Sequence, residues 1–582
     1  MRRFVLTLAL LVATPVTAAP SDDLRAVIDQ HWAWYLRNNP VQATTLGVRT
    51  YDSAISDLSL AQADREAGEA GAFLQRLRAI PDAGLTPAER VNKAILSRML
   101  SEQVEGNRFG ARAVLFNTYS GWHQNFAGMA EGLPFRTRAD YESYLTRLAK
   151  YPDQNRAAIE VTRGAVAKGY AQPCVVLGGF EKTIEGVISA NPAKSRFYAP
   201  FAGARPPDMD AAAWEAMRAR ARTVITGVVE PEYRRLLQFY RADYKPKCRE
   251  AVGASALSDG RAWYAYRARV MTTTTQTPDQ IHALGLREVA RIRAEMEAVA
   301  KRAGYASREA FVAKLRTDLK YYATTPEQLL SAAAATAKAI DGKMPGLFGR
   351  LPRLPYGIRA IPAETAEGTT TAYYSQGSPE SGLSGTYYVN TSKLPQRPLW
   401  ELPALTLHEA VPGHHHQIAL QQELELPEFR KHAAFFTAFV EGWGLYAERL
   451  GIEMGLYDTP EKDMGRLSYE MWRASRLVVD TGLHSQGWTK ARAVAFMTDN
   501  TALSAANINA EVNRYISWPG QALAYKIGEL KIRELRERAE KALAAKFDLR
   551  RFHDAVLGQG AVPLDVLERQ VDGWVAGERG RS

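Results

Sequence analysis

Apolar residues recur three and four positions apart along most of this 582-residue chain. From residue 21 to about residue 275, this spacing predicts a nearly continuous series of helices, with Asp or Ser near the segment starts. Residues 278–301 are predicted to form one long amphipathic helix, with Thr277 as its N-cap and Pro278 at its first position. Helical spacing returns from residue 398 to the C-terminus. The pattern therefore predicts a mostly α fold.

One region interrupts the helical pattern. Residues 353–390 are rich in Pro, Gly and Thr, and apolar residues alternate in 369–374 and 385–390. Alternation with a period of two, bounded by turn residues, predicts β-strands, which we expect to form a small antiparallel sheet. Because helical spacing resumes at residue 398 and continues to His408, the sheet is expected immediately upstream of the helix that carries His408.

The N-terminus has the three parts of a secretory signal. Arg2 and Arg3 precede an apolar run over residues 4–13, and small residues follow up to Ala19. We therefore divide the chain into a signal peptide (1–19), an N-terminal helical scaffold (20–275) and a catalytic region (276–582). No later stretch reaches the roughly 18 to 20 apolar residues of a membrane span. The mature protein is expected to be periplasmic or secreted, and a retained N-terminal anchor is the alternative.

Charge and cysteine content narrow the possible roles. The formal charge of +11 is spread over many helices rather than gathered in one basic run, so a nucleic-acid partner is not expected. The two cysteines, Cys174 and Cys248, are predicted to form a disulfide, because a cysteine pair in an exported chain is more often bonded than free. Neither has a second cysteine or histidine at metal-ligand spacing.

The strongest chemical signal is a histidine cluster. Four of the ten histidines lie in the run His408-Glu409-Ala410-Val411-Pro412-Gly413-His414-His415-His416. In the His-Glu-x-x-His arrangement, two histidines four residues apart bind zinc, and the glutamate acts as general base on the water beside the metal. We therefore predict a Zn²⁺ site in which His408 is a ligand and Glu409 is the general base.

The spacing of this run departs from that arrangement by two residues. On a regular helix, the rings of His408 and His414 would point about 240° apart. Pro412 removes a backbone donor and Gly413 permits unusual dihedrals, so a local bulge there could return His414 to the metal. His415 shares a face with His408 on an unbroken helix and is the competing ligand. Because Pro412 disfavours an unbroken helix, His414 is preferred.

A second apolar segment, residues 439–448, supplies the predicted third ligand. Glu441 and Glu448 are seven residues apart and share one helical face. A carboxylate on a buried face is costly unless it is paired or bound to metal. Glu441 also lies between Ala438 and Gly442, where a neighbouring element can approach. We therefore predict Glu441 as a ligand, with Glu448 either orienting a ligand histidine or serving as a paired structural acid.

The motifs His408-Glu409-Ala410-Val411-Pro412-Gly413-His414, Glu441-Gly442-Trp443, Arg514-Tyr515 and Pro519-Gly520-Gln521-Ala522 resemble the bacterial DUF885 family over most of the mature chain. The resemblance implies a relation to mostly helical zincins, such as the Taq-type carboxypeptidases and the oligopeptidases. Those families carry the shorter His-Glu-x-x-His motif, so the two additional residues are a departure. The metal motif of dipeptidyl peptidase III resembles an intermediate between the two, because it has one inserted residue.

A peptidase also needs a hydrogen-bond donor for the negative oxygen of the tetrahedral intermediate. The candidates are Tyr515, Tyr525 and His484. Tyr525 lies in the segment 519–528, which is similar to the glycine- and tyrosine-containing segment that supplies such a donor in the Taq-type carboxypeptidases. The alternative for each tyrosine is a structural role in the helical core.

Five further residues are candidates for substrate binding. Arg473 and Arg476 could receive a substrate carboxylate in a bidentate fork, or they could belong to a salt-bridged helical face. Gln521, in the motif that resembles DUF885, is the third. Tyr388 and Asn390 lie on a predicted edge strand, where an extended peptide could be aligned by strand addition. Their alternative is an ordinary strand role.

These predictions define an exported zinc-dependent peptidase with a cleft between the N-terminal scaffold and the C-terminal half. Zinc held by His408, His414 and Glu441 lowers the pKa of its water, and Glu409 takes the proton as that water attacks a peptide carbonyl. The first alternative is a metal-dependent hydrolase of a non-peptide amide or ester. The second is a metal-free peptide-binding or scaffold protein.

Overall fold

The structure is a computed structural model that describes residues 19–362, 366, 370–379 and 382–581. The predicted signal peptide, apart from Ala19, lies outside the described residues, as does Thr369 of the predicted first strand. The molecule is 69% helical and has one small sheet, which confirms the predicted mostly α class.

The helices that precede the sheet form the N-terminal scaffold and its continuation. They are α1 (Pro20–Asn38), α2 (Pro40–Thr45), α3 (Leu60–Ala79), α4 (Pro87–Gly106), α5 (Trp122–Gly128), α6 (Arg138–Ala167), α7 (Lys182–Glu185), α8 (Ala211–Val224), α9 (Glu230–Phe239), α10 (Gly260–Thr272), α11 (Pro278–Arg302), α12 (Arg308–Thr317) and α13 (Pro326–Asp341).

The helices that follow the sheet carry most of the predicted chemistry. They are α14 (Leu402–Glu409), α15 (His414–Gln422), α16 (Glu428–His432), α17 (Thr437–Leu450), α18 (Pro460–His484), α19 (Lys490–Asn500), α20 (Ala505–Ser517), α21 (Ala524–Leu543), α22 (Leu549–Leu557) and α23 (Leu564–Arg579).

Local capping explains where the long helix α11 begins. The side chain of Thr277 accepts a hydrogen bond from the backbone N–H of Gln280, and the side chain of Gln280 accepts one from the backbone N–H of Thr277. Pro278 occupies the first turn, where its missing N–H has no helical partner to lose. The helix ends at Arg302, one residue beyond the predicted end.

The sheet contains β1 (Tyr356–Ala360), β2 (Ala372–Ser375) and β3 (Gly385–Val389) in the order β1-β3-β2. β2 and β3 are antiparallel, as predicted for the two alternating segments, whereas β1 pairs with β3 in parallel. The sheet is therefore mixed rather than wholly antiparallel, because the chain crosses over between β1 and β3. β3 is the central strand, and β2 and β1 form the edges.

Two large apolar cores hold the helices together, and each combines residues from both sides of the predicted boundary at residue 276. Ile28 and Leu96 from the N-terminal helices, for example, share a core with Trp443 and Leu567. In the described residues, that boundary therefore does not separate two independent cores.

Close helix crossings position the elements around the histidine run. Gly442 on α17 meets Gly528 on α21 so closely that a Cβ on either glycine would collide with the other helix. Gly285 on α11 lies in the same way against Leu477 of α18. Backbones can approach to this extent only where side chains are absent. The sequence prediction of a close neighbour beside Glu441 corresponds to α21.

Cys174 and Cys248 form a disulfide with a Cα–Cα distance of 4.9 Å, which confirms the predicted pairing. It joins two segments that also pair by a backbone bridge between Pro173 and Arg249. Every helix in the described part of the chain is too short or too polar to cross a bilayer.

Candidate metal centre

The chain leaves and re-enters helical conformation between His408 and His414. α14 ends at Glu409, Ala410 has dihedrals outside the helical region, and α15 begins at His414. A Cβ on Gly413 would collide with the carbonyl oxygens of the α14 residues Leu407 and His408. The predicted bulge is thus a complete break between two short helices, which requires glycine at position 413.

This break brings three predicted ligands together. Nε2 of His408 lies 3.5 Å and Nε2 of His414 lies 3.6 Å from Oε2 of Glu441. The three ligand atoms lie within 4.8 Å of one another. Both distances to Oε2 are too long for good hydrogen bonds. Two ligands bound to zinc at about 2.0–2.1 Å and a tetrahedral angle lie about 3.4 Å apart, so the donor set and its spacing fit Zn²⁺.

The three side chains are buried to different degrees. His408 is 4% exposed, His414 12% and Glu441 17%. Burial alone would raise the pKa of the Glu441 carboxyl, but the two imidazoles outweigh it and hold that pKa well below its usual range. The cluster of three side chains is therefore reachable from solvent on the side of His414 and Glu441, while His408 forms its inner wall.

A further carboxylate fixes the ring of His408. Nδ1 of His408 donates a hydrogen bond of 2.8 Å to Glu448, and the same carboxylate oxygen lies 3.0 Å from the Arg473 guanidinium. Nε2 is thereby left to face Glu441. Burial lowers the pKa of His408, but Glu441 and Glu448 outweigh that effect and raise it to about 9. Metal-binding histidines are commonly oriented by such a carboxylate on the other ring nitrogen.

The alternative ligand, His415, has both ring nitrogens occupied elsewhere. Nε2 donates to the backbone carbonyl of Leu354 at 3.0 Å, and Nδ1 accepts from the Tyr374 hydroxyl at 3.0 Å. Burial lowers the pKa of His415 to about 4. His416 is fully buried against the ring of Phe348. Of the two alternatives, the structure places His414 with the other ligands.

Glu409 stands out among the buried acids. Its side chain is 9% exposed, and it forms no hydrogen bond or ion pair with any residue that the structure describes. It follows the ligand His408 directly at the end of α14. A buried carboxylate without a protein partner is costly, so the position of Glu409 beside His408 is consistent with the role predicted from the sequence.

The three candidate donors differ in what they contact. The Tyr515 hydroxyl donates to Glu511 at 2.7 Å and accepts from Trp472 and Arg476. Nδ1 of His484 accepts from a backbone N–H of Ala254, and its Nε2 donates to the carbonyl of Tyr515. The hydrogen-bonding atoms of both side chains are therefore already occupied.

Tyr525 is the candidate donor that the structure places beside the ligands. Its ring stacks on that of His408 with centroids 6.5 Å apart, and the Arg476 guanidinium lies 4.3 Å from the Tyr525 centroid. Burial, together with the negative charge of Glu441, raises the pKa of Tyr525 to about 12. The hydroxyl thus remains protonated at neutral pH and can donate a hydrogen bond.

The other polar candidates on α18 and after α20 belong to buried ion pairs. Arg476 lies 3.1 Å from Glu511, and Arg514 links Glu511 to the side chain of Gln521. Burial raises the pKa of Glu511, but Arg514 and Arg476 outweigh it and lower it to about 2. Arg473 is likewise committed to Glu448. For Arg473 and Arg476, these contacts match the salt-bridged alternative.

The prediction that Tyr388 and Asn390 lie on an edge strand is wrong. β3 pairs with β1 on one side and with β2 on the other, so its backbone has no free edge. Tyr388 stacks on Tyr373 with centroids 4.9 Å apart. The Asn390 side chain donates hydrogen bonds to the carbonyls of Ala366 and Thr370.

Two contributors to the site were missed in the sequence. A Cβ on Gly444 would collide with the ring of His408, so this glycine provides the space for the ligand. Its position, three residues after Glu441 on a predicted helix, was the available signal. The second is Tyr374, whose hydroxyl bonds to Nδ1 of His415. No sequence pattern indicated this contact, because it joins residues 41 positions apart.

The fold and the site together define a mostly helical protein with a two-histidine, one-glutamate centre. The chain matches the DUF885 family, described as bacterial protein of unknown function, over residues 40–571, and it belongs to that family. No protein of curated function matches the sequence.

Solved structures similar to this one include the following two. The crystal structure of a lipoprotein candidate from Colwellia psychrerythraea is 28% identical, covers 96% of this chain and 100% of its own, and superposes with a TM-score of 0.89. A lipoprotein candidate of unknown function from Shewanella oneidensis is 19% identical, covers 95% of this chain and 99% of its own, and has a TM-score of 0.71. The second likeness concerns the fold alone.

Proposed function

We propose that the protein is an exported zinc-dependent peptidase. The observation that carries the proposal is the convergence of His408, His414 and Glu441 at ligand spacing, with Glu409 beside them and unpaired with any described residue. Two imidazoles and one carboxylate form the ligand set of many catalytic zinc sites.

In this proposal, Zn²⁺ held by His408, His414 and Glu441 would lower the pKa of a water and polarise the substrate carbonyl. The residues of the chain perform the remaining tasks. Glu409 takes a proton from the attacking water and later donates it to the leaving amine. Tyr525 donates a hydrogen bond to the oxygen that becomes negative, and Glu448 keeps the His408 ring in the orientation that exposes Nε2.

The edge strand β2 supports peptides as the substrate class. It packs against α14, and its outer edge is not paired with another strand in the described residues. An extended peptide can add to such an edge through backbone hydrogen bonds, which hold it without selecting side chains. In this proposal, the peptide adds to β2 rather than to the strand that carries Tyr388, as the sequence predicted.

We further propose that the mature protein is periplasmic or secreted. The signal-like N-terminus and the disulfide are both typical of export to an oxidising compartment. The relatives are described as lipoprotein candidates, but both cysteines of this sequence are bonded to each other, so neither is free to carry a lipid.

The proposal is tested by metal analysis of the native mature chain, followed by digestion of a mixed peptide library. We expect one zinc per chain, hydrolysis of peptides, loss of activity on chelation and recovery with added Zn²⁺. A set of non-peptide amides and esters, assayed in parallel, separates the peptidase from the alternative hydrolase. A native chain without metal would support a scaffold protein instead.

A further inference from the structure

A polar cavity lies beside the N-terminal end of α14, the helix that carries His408 at its other end. It has a volume of about 330 Å³ and opens between α18, the segment before α14 and the loop after α19. Tyr469 and Trp472 form its aromatic wall, and the charged residues Arg316, Arg397 and Glu401 line the rest. None of these charged side chains takes part in the mechanism proposed above.

The two arginines in this cavity are held in place but retain free donors. Nε and Nη2 of Arg316 bind backbone carbonyls of the loop 501–503, including that of Leu503 at 2.8 Å. Nε of Arg397 is buried and has no hydrogen-bond partner among the described residues. Its remaining contact is a long one, 3.4 Å from Nη1 to Thr371. A half-buried guanidinium with unused donors is a candidate site for an anion.

Glu401 does not neutralise these arginines with an ion pair. Its carboxyl lies within 4.0 Å of no basic side chain in the described residues. Burial raises the pKa of Glu401 to about 8, even though the positive charges of Arg397 and Arg316 lower it. The group is mostly protonated at neutral pH and can donate a hydrogen bond, so the cavity presents donors rather than a negative charge.

The cavity lies close enough to the metal ligands for one substrate to reach both. Glu401 is the N-cap of α14 and Glu409 is its last residue, so the two are eight residues, or about 12 Å, apart along the helix axis. An extended peptide advances about 3.3 Å per residue, so this distance corresponds to three or four residues. Thr371, on the cavity wall, directly precedes the edge strand β2.

We propose that this cavity binds a carboxylate of the peptide substrate, three or four residues from the cleaved bond, through Arg397 and Arg316. The carboxylate is either the C-terminus or an acidic side chain. The inference rests on the proposed function, since it assigns a substrate class to the same site. It predicts a preference for acidic or free-carboxyl peptides over neutral or basic ones.

The test measures binding separately from hydrolysis. Alanine hexapeptides carrying Glu, Gln or Lys near the end, each with a free or an amidated C-terminus, are titrated calorimetrically into the full mature chain carrying Glu409→Gln. The same titrations are repeated with Arg397→Gln, Arg397→Lys and Glu401→Gln added. Arg359→Gln is the matched control, because Arg359 is exposed on β1 and forms no ion pair with a described residue.

We expect carboxylate-bearing peptides to bind at least about tenfold more tightly than their neutral isosteres. Arg397→Gln should remove this discrimination, Arg397→Lys should restore part of it, and both Glu401→Gln and Arg359→Gln should leave it intact. If the free-acid peptides alone show the effect, the C-terminus is the bound group. If the Glu peptides show it regardless of amidation, the side chain is.

Equal binding of carboxylate and neutral peptides would overturn the inference. A preference for Lys peptides that disappears in Glu401→Gln would also overturn it, because the cavity would then bind cations. Hydrolysis by the wild-type chain without discrimination would defeat this inference alone. Discrimination without hydrolysis by the zinc-loaded wild type would defeat the proposed function and leave the carboxylate site standing.

Discussion

Two buried clusters of charged residues meet on helix α21, and they are built in opposite ways. Lys526 is fully buried, and its Nζ lies 2.8 Å from Glu470, 2.8 Å from Glu529 and 3.2 Å from Glu288. Tyr525, one residue earlier, faces the second cluster, the candidate metal centre. There, Oε2 of Glu441 lies 3.5 Å from Nε2 of His408 and 3.6 Å from Nε2 of His414.

The difference lies in how completely the charges are matched. Around Lys526 the ammonium has a carboxylate for each of its three donors, so the cluster is satisfied by protein alone. In the candidate metal centre, Glu409 has no partner among the described residues, and the contacts of Glu441 with His408 and His414 are longer than good hydrogen bonds. Buried charge by itself is therefore not a sign of function. A convergent set of donors that the protein leaves unmatched is the better sign.

The largest expected effect comes from the unmatched carboxylate. Glu409→Gln should lower kcat for peptide hydrolysis by about 10²- to 10⁴-fold, because the amide cannot accept the proton of the attacking water. Zinc content, measured by atomic emission, should remain at one per chain. The exposed Glu425→Gln serves as control and should retain normal activity. Normal turnover by Glu409→Gln would remove Glu409 from the mechanism.

Breaking the matched cluster should affect stability instead. Lys526→Met should lower the free energy of unfolding by about 3–5 kcal/mol, because Glu288, Glu470 and Glu529 lose the buried cation that they share and keep only their arginine partners. Urea denaturation measures this loss. Lys531→Met, on the same helix but in partly exposed pairs, should cost at most about 1 kcal/mol. Equal effects of the two substitutions would contradict the contrast between matched and exposed charge.

Tyr525 tests which face of α21 serves catalysis. Tyr525→Phe should lower kcat by about 10²- to 10³-fold with little change in zinc content, because one donor to the developing oxyanion is lost. Steady-state kinetics on a good peptide substrate measures the effect. Tyr305→Phe, a tyrosine packed on Phe311, is the control. A change in KM alone would indicate substrate binding rather than transition-state stabilisation.

The smallest effect is expected at Glu448, which contacts a ligand but not the metal. Glu448→Gln should weaken zinc affinity by about 10- to 100-fold, because the amide orients His408 less strongly. Competition with a fluorescent zinc chelator gives the affinity. Glu453→Gln, which breaks an ion pair of Glu453 with Arg536 near the end of α17, is the control. Unchanged affinity in Glu448→Gln would assign Glu448 a purely structural role.

Local patterns predicted much of this molecule. Caps and periodicity located α11 to within one residue, and alternation located β2 and β3. The pairing of β1 was not predictable in the same way, because a parallel pair depends on a crossover rather than on neighbouring residues. That missing strand is the reason why β3 was mistaken for an edge and Tyr388 and Asn390 for peptide-binding residues.

The candidate site shows the same division. Pro412 and Gly413 indicated that the helix breaks, and this local signal favoured His414. The partners that occupy His415 and His484 come from Leu354 and Ala254, which are distant in sequence. Long-range hydrogen bonds of this kind determine which side chains remain free to bind a metal or a substrate, and the periodicity of the sequence does not predict them.

The most direct test of the account is the zinc content of two neighbouring histidine variants, measured together with that of the native chain. The account predicts one zinc per native chain, loss of zinc in His414→Ala and retention in His415→Ala, because His415 binds Leu354 and Tyr374 instead. A native chain that purifies without zinc and takes up none would contradict it. Retention in His414→Ala with loss in His415→Ala would also do so.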